Sequence, residues 1–235
     1  MKALILAAGK GTRLRPVAGQ RPKPLIPVGG TSPLRHAVDW VAALEPACIW
    51  INVHAGAAQI MEAIGREATG VPVLYSHEPV LLGTAGAWKK LAREWTEPAL
   101  VVYGDNLMRF DLRRLLAAHE GAGALATIAV FDPSRHRNTG IGGGRVELDG
   151  TRVVRFTEGG AAGIVNAGAY VLEPALATRL ADGFLDFGHD VFPALAAAGE
   201  LAAHMVEDAG YCLGVDTPER LASARELMIA QEAAG

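Results

Sequence analysis

The sequence predicts an α/β fold with a mixed, mainly parallel sheet. From Ala3 to Ser76, short apolar runs alternate with segments whose apolar residues recur at helical spacing. The resulting order of strand, helix, strand, helix and strand implies parallel pairing with right-handed crossovers. The chain has 235 residues, half of them hydrophobic, which suffices for one large domain with a sizeable core.

The first half of the chain is predicted to continue this alternation. Leu34, Val38 and Val41 recur at helical spacing, and Pro46 should end their helix. Four strands are predicted at 3–8, 49–53, 71–76 and 99–103, and four helices at 34–44, 57–67, 83–95 and 111–119.

The second half departs from the alternation. A fifth strand is predicted at 124–131, and residues 140–156 resemble a hairpin that leaves the parallel sheet and encloses a second pocket. Asp149-Gly150 between alternating runs is typical of a type I′ turn. A helical pocket wall at 185–195, a strand at 201–206 and a helix at 218–232 complete the prediction.

Composition excludes several classes of protein. A net charge of −3, from 22 basic and 25 acidic residues, does not indicate a nucleic-acid or membrane face. The only cysteines, Cys48 and Cys212, fit a reducing compartment and argue against a disulfide scaffold or a zinc site. No signal peptide or transmembrane run is evident, so we expect a cytoplasmic protein.

The loop after the first strand has the chemistry of a phosphate-binding site. Gly9 and Gly11 allow a backbone turn whose N–H groups attract anions. Thr12 adds a hydroxyl and Arg13 a planar fork suited to phosphate oxygens. The P-loop and dinucleotide patterns both fail, since Thr12-Arg13 follows Gly11 and Leu14 stands where a third glycine is needed.

Two further positions suggest a cation beside this loop. Lys23 lies between Pro22 and Pro24, which fix φ on both sides and direct its ammonium group. Asp105 follows Gly104 just after a predicted strand, where a carboxylate can hold a hard cation beside phosphates. The alternative for Asp105 is a turn-capping role.

The motif L-A-A-G-x-G-T-R-L followed by P-K-P resembles the signature of the sugar-1-phosphate nucleotidylyltransferases. This family includes mannose-1-phosphate and heptose-1-phosphate guanylyltransferases and N-acetylmuramate-1-phosphate uridylyltransferases. The resemblance covers roughly residues 2–228. It implies the nucleotide-diphospho-sugar transferase fold, a Rossmann-like three-layer sandwich with a small hairpin subregion for the sugar. We expect a single domain over 1–235 without an appended domain, with a nucleotide part at about 1–110 and a sugar-phosphate part at about 111–235.

The resemblance also implies a nucleotide site. The stretch E-x-x-x-L-G-T-A-G-A, which begins at Glu78, would lie against the base and ribose, and small residues would let a flat ligand approach the helix that follows. The nucleotide-binding residues it implies are Ala7, Ala8, Gly9, Gly11, Thr12, Arg13, Glu78, Gly83 and Thr84.

On the sugar side the match is less complete. Glu158 in F-x-E and Asn166 in N-A-G match the family, and Gly140 stands where the family has Y-G. Gly159 replaces the usual lysine after the glutamate, so a cation for the sugar phosphate is missing. The side chains that could supply this cation are Arg145, Arg152, Arg155 and Lys23.

The implied chemistry is metal-assisted. Asp105 and Asp216 would hold Mg²⁺, although Asp216 could instead cap the last helix if Thr217 does not. Arg13, Lys23 and Asp105 would be catalytic, with Lys23 stabilising charge at the α-phosphorus or aligning the sugar phosphate.

The reaction implied is nucleotidyl transfer from a nucleoside triphosphate to a sugar 1-phosphate, which yields a nucleotide-sugar and pyrophosphate. The L-G-T-A-G-A and D-V-F-P stretches favour GTP, while a UTP- or CTP-using relative, a non-sugar phosphate acceptor and a catalytically silent nucleotide-sugar-binding protein remain open. The expected partners are these two substrates alone, with no nucleic acid and no membrane, in a monomer or homodimer.

Overall fold

The computed structural model describes residues 1–9, 11–19, 21–140, 142–160 and 163–232. The strands are β1 (Ala3–Leu6), β2 (Ile49–Val53), β3 (Glu67–Ala68), β4 (Val71–His77), β5 (Ala99–Tyr103), β6 (Asn106–Arg109), β7 (Ala126–Phe131), β8 (Arg137–Asn138), β9 (Arg145–Asp149), β10 (Arg152–Thr157), β11 (Ile164–Leu172), β12 (Leu201–Met205) and β13 (Tyr211–Gly214). The α-helices are α1 (Arg15–Ala18), α2 (Pro33–Ala42), α3 (Ala57–Ile64), α4 (Gly83–Lys90), α5 (Leu112–Ala122), α6 (Pro174–Arg179), α7 (Phe192–Ala197) and α8 (Pro218–Glu232). Single 3₁₀ turns lie at Thr12–Leu14 and Lys23–Leu25, and a π-helical turn at Phe187–Val191.

The main sheet has the strand order β3-β4-β2-β1-β5-β11-β7-β12-β10-β9. Parallel ladders join β4, β2, β1 and β5 and also join β7 to β12. The other ladders of this sheet are antiparallel. The predicted mixed sheet is therefore confirmed, but parallel pairing predominates only in its first half.

The predicted hairpin does not leave the sheet. Its strand β9 also pairs with the start of β11, while β10 pairs with β12, so β11, β7, β12, β10 and β9 form a closed ring of pairings. A register shift in β11 between Asn166 and Tyr170 marks the irregularity that lets one long strand serve several neighbours. The type I′ prediction is also wrong, because Gly150 has a φ of 61° while Thr151 does not have a positive φ.

Hydrophobic clusters cover both faces of the sheet. On β1, Ala3 and Ile5 join a cluster with α2, α3 and α5, whereas Leu4 and Leu6 join a second cluster with α4, α6 and α7. All four β1 side chains are buried, which explains why this strand is apolar throughout rather than alternating. A third cluster lies beneath α8 and a small sheet of β6, β13 and β8 that was not predicted.

Several helices end earlier than predicted. Helix α3 stops at Ile64 because Gly65 has a φ of 84°, and the following residues form β3 instead. Helix α2 ends at Ala42, before Pro46 is reached, and α4 ends at Lys90. The predicted helix at 185–195 begins with the π-helical turn before α7.

None of the helices in the described part of the chain is both long and apolar enough to cross a membrane.

Candidate active site

Two adjoining cavities open where β1 and β5 end. The first pocket, of about 210 Å³, is lined by residues that include Leu6, Ala8, Gly9, Glu78 and Leu81. The second pocket, of about 250 Å³, is lined by residues that include Arg13, Gly142–Gly144, Glu158, Asn166 and Asp216. Within the described ranges the two pockets share four lining residues, which mark their junction: Thr84, Tyr103, Asp105 and Asp186.

A buried ion-pair cluster lies beside this junction. The Nζ atom of Lys23 donates hydrogen bonds to Asp105 Oδ2, at 2.7 Å, and to Asp216 Oδ1. Burial by itself lowers the pKa of Lys23, but the two carboxylates outweigh burial and raise the pKa above its ordinary value. The ammonium group therefore stays charged, and it draws together two aspartates that are 111 positions apart in the chain.

Further cations surround Asp216. Burial alone raises the pKa of its carboxyl group, but Lys23, followed by Arg13 and Arg220, holds this pKa below its ordinary value. Helix α8 does not need Asp216 as its cap, because the Oγ1 atom of Thr217 accepts from the backbone N–H of Arg220 at 3.3 Å. The alternative role considered from the sequence is thus filled by Thr217.

The donor set at this cluster is suited to Mg²⁺. Asp105 and Asp216 direct carboxylate oxygens at one cation, the Lys23 ammonium group. The Oδ1 atom of Asn106, which also lines the second pocket, is buried without a hydrogen-bond partner among the described residues. No group of three or more His, Cys, Asp or Glu side chains in the described ranges could hold a metal alone. One or two carboxylates supplemented by substrate phosphates are the usual ligands of Mg²⁺, so the residues fit.

The glycine-rich loop packs against Lys23 of this cluster. A Cβ atom on Gly11, whose φ is 57°, would approach Lys23 Cβ to 2.7 Å. Gly11 is therefore needed for the packing of Lys23, whereas Gly9 has open space and lines the first pocket. Thr12 is exposed and is not among the residues that line either pocket, and Lys10 lies outside the described residues.

A hydrogen-bond chain forms one wall of the first pocket. The fully buried Glu78 accepts from Asn52 Nδ2 at 2.8 Å and from the backbone N–H of Leu82 at 3.1 Å. Asn52 Oδ1 in turn accepts from the backbone N–H of Ala7 at 2.7 Å. The backbone carbonyl of Glu78 also has a hydrogen-bond partner, because its oxygen lies 2.8 Å from Nδ1 of His54. Glu78 and Asn52 together connect the end of β1, strand β2 and the start of α4. The sequence did not indicate this role for Asn52, because the residue lies within β2.

The small residues of α4 let another segment of the chain pack closely against the start of this helix. A Cβ atom on Gly83 would lie 2.2 Å from Leu185 O, and one on Gly86 would lie 2.6 Å from Gly183 O. The backbone N–H groups of Ala85 and Gly86 donate to Leu185 O at 3.0 and 3.1 Å. Another segment of the chain thus occupies the space where a Cβ atom would lie on each glycine, but Gly83 still lines the first pocket, so its contact with the nucleotide stays a prediction.

Thr84 connects α4 to Asp186 at the junction of the pockets. Its Oγ1 atom donates to Asp186 Oδ2 at 2.9 Å and accepts from the backbone N–H of Phe187 at 2.8 Å. Asp186 Oδ1 accepts from the backbone N–H of Gly188 at 2.9 Å. The sequence predicted a pocket wall at 185–195, and the lining confirms it, but Asp186 itself was missed.

Two of the four residues predicted for the sugar side, Glu158 and Asn166, line the second pocket, whereas Lys23 and Gly140 do not. Glu158 lies against Gly188, and burial, followed by the charge of Asp186, raises the pKa of Glu158. Asn166 donates to the Tyr170 hydroxyl at 2.8 Å and accepts from the backbone N–H of Gly168 at 3.0 Å, which leaves part of its amide free for a ligand.

Gly140 is not brought into this pocket. Its N–H donates to Asn138 Oδ1 at 2.9 Å, and the glycines that follow it, Gly142–Gly144, line the pocket instead. A Cβ atom on Gly144 would come within 2.1 Å of the Phe156 ring, so the third of them also lets the hairpin pack closely. Ile141, between these two groups, lies outside the described residues.

The arginines that could replace the missing lysine occupy distinct positions. Arg152 pairs with Asp149 at 2.7 Å, and Arg155 lies 3.6 Å from Glu147, both on the exposed hairpin. Arg145 is half-buried, donates to Gly143 O at 2.9 Å, and has a buried Nε atom without a partner in the described part of the chain. Of the three, Arg145 lies nearest the second pocket.

Comparison with known proteins identifies the family. The family model described as "Nucleotidyl transferase" matches residues 2–227. The chain belongs to this family. The prediction of its family from the phosphate loop and P-K-P motif is therefore confirmed.

Named relatives of this nucleotidyl transferase include sugar-phosphate enzymes. A "Mannose-1-phosphate guanylyltransferase" of Mycobacterium tuberculosis is 33% identical over 92% of the chain and 61% of its own length. The chain spans less than two thirds of the length of the first curated relatives it matches.

Solved structures share the fold. A putative glucose-1-phosphate thymidylyltransferase from Bacillus anthracis superposes with a TM-score of 0.82 at 21% identity, covering 97% of this chain and 95% of its own. HddC from Yersinia pseudotuberculosis complexed with GMP-PN superposes with a TM-score of 0.78 at 23% identity, covering 96% of this chain and 98% of its own. A mixed α/β nucleotidyl transferase fold is thereby confirmed.

Proposed function

We propose that this nucleotidyl transferase joins a nucleoside triphosphate, with GTP favoured, to a sugar 1-phosphate and releases pyrophosphate. The observation that carries the proposal is the junction of two pockets at Asp105, whose carboxylate is paired with Lys23 and thereby linked to Asp216. The names of the curated relatives support mannose 1-phosphate as an acceptor and GTP as the donor. The GMP-PN complex of HddC is consistent with a guanine nucleotide.

The two pockets suit the two substrates. The first pocket combines apolar side chains, such as Leu6 and Leu81, with the buried carboxylate of Glu78, a combination suited to a flat base with polar edges. The second presents Glu158, Asn166 and Arg13, which offer acceptors for sugar hydroxyls and a cation for phosphate. Arg13 was expected beside the nucleotide alone, yet it lines the second pocket, so we assign it to phosphate oxygens near the junction.

The transfer needs positioning and charge neutralisation more than a covalent intermediate. A phosphate oxygen of the sugar 1-phosphate attacks the α-phosphorus in line, and the α–β bond breaks as pyrophosphate leaves. Lys23 and Arg13 neutralise charge on the phosphates as they meet at the junction. Asp105 and Asp216 would hold Mg²⁺, which when bound supplies Lewis-acid stabilisation of the phosphate oxygens.

The proposal also covers the layer arrangement of the fold, its division into two parts, the cofactor and the cellular setting. Helices on both faces of the sheet support the Rossmann-like three-layer description, with the nucleotide part at about 1–110 and the sugar-phosphate part at about 111–235. Mg²⁺ as cofactor, the two substrates as partners and a cytoplasmic setting follow from the proposed reaction.

Pyrophosphate release tests the proposal directly. GTP, UTP, CTP, ATP and dTTP would each be combined with a panel of hexose and heptose 1-phosphates, with and without Mg²⁺. We expect metal-dependent release with one donor and acceptor pair, at least 100-fold slower in Asp105→Asn. The exposed Asp208, which pairs with Arg135 at the surface, provides the control variant Asp208→Asn, which should match the wild type.

Two results would contradict the proposal. If no combination of substrates released pyrophosphate while nucleotides bound tightly, the catalytically silent binding protein would be favoured. Near-normal release by Asp105→Asn would remove the assigned role of that carboxylate.

A further inference from the structure

We infer that Phe184 is a stacking residue that covers the nucleobase in the first pocket. This inference rests on the proposed function, and it assigns to the base a contact that the sequence motifs did not indicate. Phe184 lines the first pocket, yet its side chain is 67% exposed. A large apolar ring that is exposed at the mouth of a pocket has a free surface on which a planar ligand can stack.

The neighbouring aromatic residues behave differently. Phe187 and Phe192 are fully buried, and their rings stack at a centroid distance of 5.2 Å with an interplanar angle of 12°. Two of the three phenylalanines in this stretch therefore pack into the hydrophobic core, whereas the third, Phe184, is exposed. Val80 is also exposed, at 74%, but it is not among the residues that line the first pocket.

The backbone that follows Phe184 is held in place. The N–H of Leu185 donates to Leu82 O at 2.9 Å, and Leu185 O accepts from Ala85 and Gly86. Asp186 is bonded to Thr84 at 2.9 Å. Because these bonds fasten the segment to the start of α4, little backbone conformational entropy remains to be lost there when a ligand contacts the ring.

The chemistry of the pocket identifies the nucleobase as the group that Phe184 contacts. Leu6 and Leu81 line the same pocket, so a flat aromatic ligand would be enclosed by apolar side chains with the Glu78 carboxylate at one wall. Stacking on an aromatic side chain tolerates every base, because each base has a π-face. Phe184 would therefore add affinity, with a larger share for purines because of their greater area, while selection among bases would fall to polar groups.

Binding measurements with and without the base test the inference. Dissociation constants for GTP, UTP and ribose 5-triphosphate, which lacks a base, would be measured by calorimetry for the wild type, Phe184→Ala, Phe184→Trp and the control Val80→Ala. We expect Phe184→Ala to weaken GTP binding about ten-fold and UTP binding less, and to leave ribose 5-triphosphate binding unchanged. Phe184→Trp should restore GTP affinity, and Val80→Ala should bind as the wild type does.

The outcomes separate this inference from the proposed function. If the wild type releases pyrophosphate with a sugar 1-phosphate but Phe184→Ala binds GTP as tightly as the wild type, only the stacking role is overturned. Equal weakening of GTP and ribose 5-triphosphate would also overturn it, because the defect would then lie with the phosphates or the local fold. A wild type that neither binds nor consumes any nucleoside triphosphate would overturn the proposed function itself.

Discussion

The first and second pockets are built from different kinds of backbone. The first follows the ends of the parallel strands β1, β2 and β5, and its polar wall is one chain of hydrogen bonds from Ala7 through Asn52 to Glu78. The second lies against β9 and β11 in the closed ring of pairings, beside the glycines Gly142–Gly144. Among the described residues, four line both pockets, and the Lys23 cluster lies beside them.

This difference explains how the two proposed substrate sites could vary separately. Parallel strands with short loops fix the first pocket through backbone contacts, which leave few side chains free to change. The second pocket depends on a hairpin and a glycine loop, where Gly159 stands in place of the lysine usual in the family, and we propose that other cations compensate. The predictions below test whether the shared junction matters more than either pocket alone.

The largest effect is expected at the junction. Asp216→Asn should lower kcat at least 100-fold, because it removes a carboxylate from the proposed metal site beside both pockets. Steady-state kinetics with a thermal unfolding scan would check this, with Asp208→Asn as the exposed control. A variant that lost only affinity for one substrate would show instead that Asp216 serves a single pocket.

Lys23→Ala should impair folding as well as turnover. The side chain is buried between two carboxylates that would repel each other in its absence. Because both aspartates retain some exposure to solvent, we expect a loss of about 1–3 kcal/mol in the free energy of unfolding, below the full cost of breaking a buried ion pair. Chemical denaturation measures this loss, and unchanged stability would mean that water replaces the ammonium group.

Gly83→Ala should be the most destabilising change in the wall of the first pocket. The new Cβ would meet Leu185 O and also require a φ of 73°, so we expect a loss of about 3 kcal/mol or more. Gly123→Ala is the control, since Gly123 has a φ of 60° and a ψ of 23° but open space around it, and should cost about 1–2 kcal/mol. Equal losses in urea denaturation would show that backbone strain alone matters at Gly83.

Thr84→Val should affect both pockets mildly. It leaves the buried N–H of Phe187 without its acceptor and removes the donor to Asp186, at a cost of about 1–3 kcal/mol. We expect KM to rise for both substrates, whereas Thr84→Ser should restore both values. A rise in KM for the nucleotide alone would place Asp186 outside the second site.

The smallest effect should be confined to the second pocket. Arg145→Ala should raise KM for the sugar 1-phosphate about ten-fold and leave KM for the nucleotide unchanged, as expected for one charge-assisted hydrogen bond. Arg152→Ala, on the exposed hairpin, should change neither value. A normal KM in Arg145→Ala would leave Lys23 and Arg13 as the cations that hold the sugar phosphate.

The sequence predicted the first half of the fold more accurately than the second. Strands β2 and β5 were predicted residue for residue, because their apolar runs are bounded by clear breaks. The ring closed by β9 and β11 could not be predicted, since it depends on long-range pairing that leaves no local pattern. The packing of Gly83 and Gly86 against Leu185 and Gly183 was not predicted for the same reason, as these partners lie about 100 residues further along the chain.

The candidate site was partly accessible from sequence. Asp105 and Asp216 were singled out by their motifs, and the structure brings both to Lys23, although their roles remain predictions. Asn52 and Asp186 were missed because each lies within a stretch that was interpreted as strand or pocket wall. Their importance depends on partners, Ala7 and Thr84, that only the folded chain brings within reach.

The most direct measurement follows the phosphate of the acceptor through the reaction. A sugar 1-phosphate whose non-bridging phosphate oxygens carry ¹⁸O would be incubated with GTP and Mg²⁺, and the masses of the products would be measured by mass spectrometry. A junction at which the acceptor phosphate attacks the α-phosphorus predicts that all of the label appears in the nucleotide-sugar and none in pyrophosphate. Labelled pyrophosphate, or free nucleoside monophosphate with the sugar 1-phosphate left unchanged, would contradict the account.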